Sequence, residues 1–233
     1  MRVVFMGTPD FAVPCLDALM RADVEVVGVV SQPNRPKGRG RKVTPTPVAA
    51  AAANAGVPVY QWARLNQESY DTLSALNADL FVVVAYGKIL PARYLALPKN
   101  GCWNIHGSIL PQLRGAAPIQ WALINGFKTT GVSLMQLDEG MDTGPVALIN
   151  TLEINERETA STLHDRLSIL GAQTLSQGLK LLAEGSLTFT DQVHAQASHA
   201  RPLTKADGLI TWTQSAETIY RKYQGMSPWP GCS

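Results

Sequence analysis

The stretch NIHGSILPQLRGAAPIQWAL, Asn104 to Leu123, decides how this chain is read. It continues a short apolar run, Cys102-Trp103, and opens with an amide and an imidazole two residues apart. It then breaks into Gly, Pro and Arg before a helix-like segment, Pro118 to Asn125. On a strand, Asn104 and His106 emerge on one face with their Cα atoms about 6.6 Å apart. An atom lying between them can receive a donor from each, which is how an oxyanion is held. Gly107 permits close backbone approach. Buried Asn and His at a strand end also often just satisfy loop backbone, so the pair needs support from elsewhere in the chain.

Working outward, apolar runs alternate with helical spacing. Val3 to Met6 is a strand followed by the turn Gly7-Thr8-Pro9-Asp10, and Phe11 to Arg21 then reads as a helix. Val24 to Val30 is a second β-branched run, and an alanine-rich helix lies within Pro45 to Gly56. Val57 to Tyr60, a helix over Ser69 to Leu76 and the fully apolar Leu80 to Val84 continue the series. Gly131 to Leu137 and Val146 to Ile154 are further strands, and Ala160 to Ala183 is a long amphipathic helix. This alternation predicts an α/β, Rossmann-like, doubly wound and mostly parallel sheet covered on both faces. In such sheets ligands bind beyond the carboxyl ends of the strands, where Asn104 and His106 would sit. The catalytic domain is expected over 1–186, with a polar linker or extended arm over 187–206. The segment 207–233, with a strand at Leu209 to Trp212 and a helix at Ala216 to Gln224, reads as the beginning of a second domain.

Composition narrows the class. The 233 residues are 45% hydrophobic and 16% charged, enough for one sizeable core. No apolar run approaches the roughly 20 residues of a membrane span. Three widely spaced cysteines, Cys15, Cys102 and Cys232, point to reduced thiols and a cytoplasmic location. The net charge is only +2, yet Val26 to Gln67 holds no acidic residue and six cations: Arg35, Lys37, Arg39, Arg41, Lys42 and Arg64. One basic segment on an otherwise mildly acidic chain implies a local anionic partner.

Several motifs are empty. The turn after the first strand has neither the three-glycine dinucleotide fingerprint nor a Lys-Ser/Thr phosphate loop. The histidines and cysteines form no ligand cluster of usual spacing, so no metal is expected. His164 reads as an amphipathic-helix residue, and His194 and His199 as solvated linker residues. A Cys102 nucleophile activated by His106 fails on distance, because four residues of strand span roughly 13 Å where nucleophile and base need about 3 Å.

Leu137-Asp138-Glu139-Gly140-Met141-Asp142-Thr143-Gly144-Pro145 follows another strand and mixes three carboxylates with two glycines. One of these carboxylates paired to His106 would fix its tautomer and raise its basicity. Asp142 is the first candidate and Asp138 the second. Together Asn104-x-His106, Ser108-Ile109-Leu110-Pro111, Arg114-Gly115-Ala116-Ala117-Pro118-Ile119 and Asp142-Thr143-Gly144 resemble the signature of the 10-formyltetrahydrofolate-dependent formyltransferases. Gly7-Thr8-Pro9-Asp10-Phe11, Gln32-Pro33-x-Arg35-Pro36-x-Gly38-Arg39-Gly40, Ala85-Tyr86-Gly87-x-Ile89-Leu90-Pro91 and Pro228-Trp229-Pro230-Gly231 fit the same family in the same order. The glycine-arginine loop favours the tRNA-directed branch over the amino-sugar branch.

The resemblance implies a formyltransferase fold, followed by the start of a C-terminal, OB-like β-barrel domain. It implies that a monomer passes the formyl group of the co-substrate 10-formyltetrahydrofolate to the methionine α-amine of initiator methionyl-tRNA. Asn104 and His106 would stabilise the oxyanion, and Asp142 would orient His106 and assist proton removal. The folate would lie along Ser108, Ile109, Leu110, Pro111 and Asp138, with backbone groups at Lys88 and Leu90 reading its pteridine. Arg35, Lys37, Arg39, Arg41 and Lys42 would meet acceptor-stem phosphates, with Arg39 and Lys42 foremost. Gln112-Leu113 departs from the Arg-Trp that many members carry, which leaves one cation fewer beside the site. A formyltransferase acting on an amino-sugar nucleotide, and a non-catalytic RNA- or folate-binding module, remain the alternatives.

Overall fold

The computed structural model describes residues 1–37 and 42–233. Its strands are β1 (Arg2–Gly7), β2 (Glu25–Val30), β3 (Arg35–Lys37), β4 (Lys42–Thr44), β5 (Val59–Tyr60), β6 (Leu80–Val84), β7 (Cys102–His106), β8 (Thr129–Gln136) and β9 (Val146–Glu153). Its helices are α1 (Val13–Arg21), α2 (Pro47–Asn54), α3 (Gln67–Ala75), α4 (Ala92–Leu95), α5 (Pro118–Ile124), α6 (Ala160–Ala183) and α7 (Ala216–Met226).

Seven strands form one sheet in the order β5-β2-β1-β6-β7-β8-β9. The first five run parallel, and β8 and β9 close the far edge antiparallel. Every residue of β6 and β7 is buried, as expected for strands covered on both faces. In β9 outer positions alternate between half-buried and exposed, the mark of a strand at the sheet edge. Period-two alternation divides the core. Val3, Phe5, Val82, Val84 and Ile105 pack against α1, α2 and α6. Val4, Met6, Phe81, Val83 and Cys102 pack on the other face with Leu73 of α3 and Tyr94 of α4.

Local signals set the helix ends. Thr46 accepts from the Ala49 N–H, with Pro47 in the first turn of α2. Thr159 and Thr162 form a reciprocal box at the start of α6. Gly171 and Gly178 let α6 lie close over Ile105 and Leu134, where an added Cβ would approach to 3.0 and 3.1 Å.

Two regions differ from expectation. The basic segment is partly built as a two-stranded hairpin, β3 with β4, rather than as a loop throughout. Leu209 to Trp212 forms no strand. Strand propensity acts only beside a neighbour, and here Ile210 N–H donates to the Ser233 carbonyl while Ser233 N–H donates to that of Gly208. Trp212 is left 78% exposed. The arm beyond α6 lies extended on the body, bridging at Val146–Thr190 and Arg114–His199, and it buries Ala200 and Leu203. Helix α7 packs on α5, with Met226 joining Ala117 and Leu203.

Candidate active site

Strand order reverses at β1, which has β2 on one side and β6 on the other. Beyond the carboxyl ends of β1, β6 and β7 lies a cavity of about 680 Å³, a size that suits a small-molecule site. Asn104, His106 and Asp142 all line it. Asn104 and His106 are 8% and 6% exposed, and the Asn104 carboxamide has no hydrogen-bond partner among the described residues. A nearly buried amide that the protein leaves unused, facing a cavity, fits ligand recognition better than loop repair.

The loop from Gly107 to Leu113 holds His106 in place. The Ser133 hydroxyl donates to the Ser108 carbonyl and accepts from Leu110 N–H, which ties this loop to β8. Ser108 in turn donates to the Gln112 carbonyl at 2.6 Å. Leu113 sits at φ +57°, and its carbonyl meets His106 Nε2 at 2.9 Å. A carbonyl can only accept, so Nε2 carries the proton and Nδ1 of the neutral ring presents a lone pair. The Leu113 carbonyl therefore fixes the tautomer, a role expected of Asp142.

Asp142 faces that lone pair, with Oδ2 3.6 Å from Nδ1. This is too long for a direct hydrogen bond. Its backbone is left-handed, at φ +55°, and Oδ2 accepts from Gly115 N–H at 2.8 Å. Two acceptors thus face one another just beyond hydrogen-bond distance, where a donor lying beside them can reach both. Asp138, the second candidate, instead shapes its own loop by accepting from the Thr143 hydroxyl and Gly140 N–H, while still lining the cavity.

The other expected contacts divide. Lys88 and Leu90 line the cavity. The Lys88 ammonium, however, turns away to donate to the carbonyls of Trp62 and Ala63 at 2.6 and 2.8 Å, strapping the β6–α4 loop to its neighbour. Burial, then nearby Arg35, lowers its pKa. Ser108, Ile109, Leu110 and Pro111 follow the lining residue Gly107 without lining the cavity themselves, and Ser108 and Leu110 are tied to the Gln112 carbonyl and the Ser133 hydroxyl. Arg35 is exposed on β3, and Lys37 pairs with Lys42 in the backbone register of β3 and β4. Arg39 and Arg41 lie outside the described residues.

His164, read from sequence as an ordinary helix residue, reaches the cavity, edge-on to Phe11 at 5.3 Å. Helical periodicity alone could not reveal this, because it depends on how α6 crosses the sheet end. Cys102 is buried beneath Tyr94, and burial pushes its thiol up to about 12, so it is no nucleophile. Among the described residues no three His, Cys, Asp or Glu side chains gather as a metal site, and no helix is long and apolar enough to cross a membrane. A larger groove, about 1170 Å³, lies at the opposite end of the strands between α1 and α6, remote from these groups.

The chain is similar to known proteins over its whole length. The pattern of the family described as "Formyl transferase" matches residues 1–179, and that of its C-terminal domain matches 202–233. The methionyl-tRNA formyltransferase of Pelotomaculum thermopropionicum is 49% identical over 232 residues, covering 99% of this chain and 74% of that one. That of Xanthomonas campestris pv. campestris is 51% identical, covering 99% and 75%. Among solved structures, a 4-N formyltransferase from Francisella tularensis superposes with a TM-score of 0.76 at 13% identity, covering 99% of this chain and 90% of that one, a likeness of fold. With an unused amide, an imidazole of fixed tautomer and a carboxylate gathered in one cavity, and relatives of this identity, the chain belongs to the formyl transferase family, on the branch of the methionyl-tRNA formyltransferases.

Proposed function

We propose that this chain transfers the formyl group of 10-formyltetrahydrofolate to the α-amino group of methionyl initiator tRNA, giving N-formylmethionyl-tRNA. The observation that carries the reading is the cavity shared by Asn104, His106 and Asp142. The folate fits its chemistry: Leu90, Leu137 and Ile119 offer apolar wall for a flat ring, and Asp138 and backbone groups near Lys88 offer polar partners.

As the amine nitrogen bonds to the formyl carbon, the carbonyl π pair moves onto the formyl oxygen and gives a tetrahedral oxyanion; when that pair returns to re-form the carbonyl, the bond to the folate nitrogen breaks. The Asn104 amide is placed to donate to that oxygen. His106 Nδ1 receives a proton from the attacking amine, since Nε2 is already engaged by Leu113. The resulting imidazolium N–H becomes a second donor, and Asp142 stabilises it across the gap, directly or through a water. The same proton is then available to the departing folate nitrogen. Imidazole thus acts first as base and then as donor, both times through Nδ1, since the Leu113 carbonyl occupies Nε2. Arg35, Lys37, Arg39, Arg41 and Lys42 supply phosphate contacts for the acceptor stem, so affinity falls with salt.

The test offers 10-formyltetrahydrofolate together with methionyl initiator tRNA and an amino-sugar nucleotide. The expected product on hydrolysis is formylmethionine. A formylated sugar with unmodified methionine would reverse the choice of acceptor, and neither product would leave only a binding module.

A further inference from the structure

Three consecutive residues hold the site, and the first two are hydrogen-bonded to the arm beyond α6. Leu113 fixes His106 through its carbonyl, and its N–H donates to Ser198 Oγ at 2.9 Å. Gly115 N–H holds the Asp142 carboxylate. Between them, Arg114 pairs its backbone with the arm, N–H to Ser198 carbonyl at 2.9 Å and carbonyl from Ala200 N–H at 2.7 Å. Its side chain is 4% exposed, and no carboxylate pairs with it among the described residues. Its Nε and Nη2 donate to Gln192 Oε1 at 3.0 and 2.6 Å, and Nη2 also donates to His194 Nδ1 at 3.1 Å.

Gln192, 7% exposed, is the centre of this arrangement. Arginine can only donate and backbone carbonyls can only accept, so its amide orientation is unambiguous. The oxygen takes both Arg114 bonds, and the NH₂ donates to the carbonyls of Asp142 at 2.9 Å and Gly144 at 2.6 Å. Both donors and both lone pairs are used. The residue pinned in this way is Asp142, whose left-handed backbone does not persist without surrounding constraint.

We infer that Gln192 is a positioning residue for formyl transfer: from the arm, it clamps the Asp142 backbone to Arg114 and so sets the gap between Asp142 and His106. The inference rests on the catalytic reading of Asp142. It makes the arm part of the active site rather than a tether after it.

The clamp has two halves that substitution separates. Gln192→Glu keeps an acceptor for Arg114, now charged, and loses both donors to the loop. Gln192→Met loses both halves. Gln192→Glu strengthens the Arg114 pairing but sets a carboxylate oxygen against the Asp142 and Gly144 carbonyls, so its melting temperature is expected to fall less than that of Gln192→Met while kcat falls about 10- to 100-fold, with the folate KM changed by less than about 2-fold. Gln192→Met is expected to lose both kcat and thermal stability. Backbone amide exchange over 140–146 in Gln192→Glu should rise about 10-fold, a readout independent of acceptor. Wild-type kcat and exchange in Gln192→Glu, or a loss confined to KM, would overturn the inference. A wild-type chain that formylates no methionyl-tRNA would reject the proposed function instead, while the exchange measurement would still decide the clamp.

Discussion

The two ring nitrogens of His106 face different partners, and this asymmetry governs the chemistry. With Nε2 donating to Leu113 at 2.9 Å, only Nδ1 can serve as base. Asp142→Asn should therefore keep the Gly115 bond through its amide oxygen, the atom nearest that lone pair, but lose the negative charge that stabilises the imidazolium. The expected result is a loss of kcat of roughly 10²-fold or more with the melting temperature unchanged, read by single-turnover kinetics and thermal denaturation. Wild-type turnover in this variant would remove Asp142 from the mechanism. What sequence conveyed at this scale was residue type and spacing: Asn104 and His106 do share a strand face, and Asp142 does face the ring. The Leu113 carbonyl and the Gln192 clamp were illegible for a plain reason. A backbone carbonyl carries no sequence signal, and Gln192 lies 50 residues beyond its Asp142 partner.

At the scale of elements, the arm and the loop after β7 are packed without slack. Gly115 sits at φ +111°, and an added Cβ would lie 2.9 Å from the Ala200 carbonyl oxygen. Gly115→Ala is expected to destabilise the fold by about 1–3 kcal/mol and to lower kcat, because the displaced segment carries both the His106 and Asp142 contacts. Chemical denaturation measures the first effect, and an unchanged midpoint would show the arm docking to be slack. The basic hairpin acts separately. Replacing Arg39 and Lys42 by neutral residues should raise the tRNA KM and flatten its salt dependence, by roughly one unit of slope for each lost phosphate contact, with the folate KM unchanged. Unaltered salt dependence would place the tRNA elsewhere. Elements with strong periodicity, such as α6 over Ala160–Ala183, were readable to the residue. The pairing of β3 with β4 was hidden because Arg35–Lys37 and Lys42–Thr44 are short and show no apolar alternation, and the Leu209 to Trp212 run misled because its propensity met no neighbouring strand.

Across the whole molecule, the two faces of one sheet form two cores, with Cys15 in one and Cys102 in the other. Burial pushes both thiols to about 12, so neither presents an appreciable thiolate at pH 8. Native protein treated with iodoacetamide should label Cys232 and spare the other two, which then become reactive together as denaturant unfolds the sheet. Fast labelling of Cys15 or Cys102 in the native state would contradict the two-core architecture. The doubly wound class was legible because five parallel strands read as apolar runs separated by helical spacing, whereas the position of the arm depended on side-chain pairing across long separations. The account as a whole stands on Asn104 and His106 acting on the same developing oxyanion. The most direct test is single-turnover formyl transfer to methionyl initiator tRNA at saturating folate by the wild type, Asn104→Ala and His106→Ala. Each substitution is expected to slow the step by at least about 10²-fold with the fold intact. A rate within a few-fold of the wild type in either variant would contradict the account.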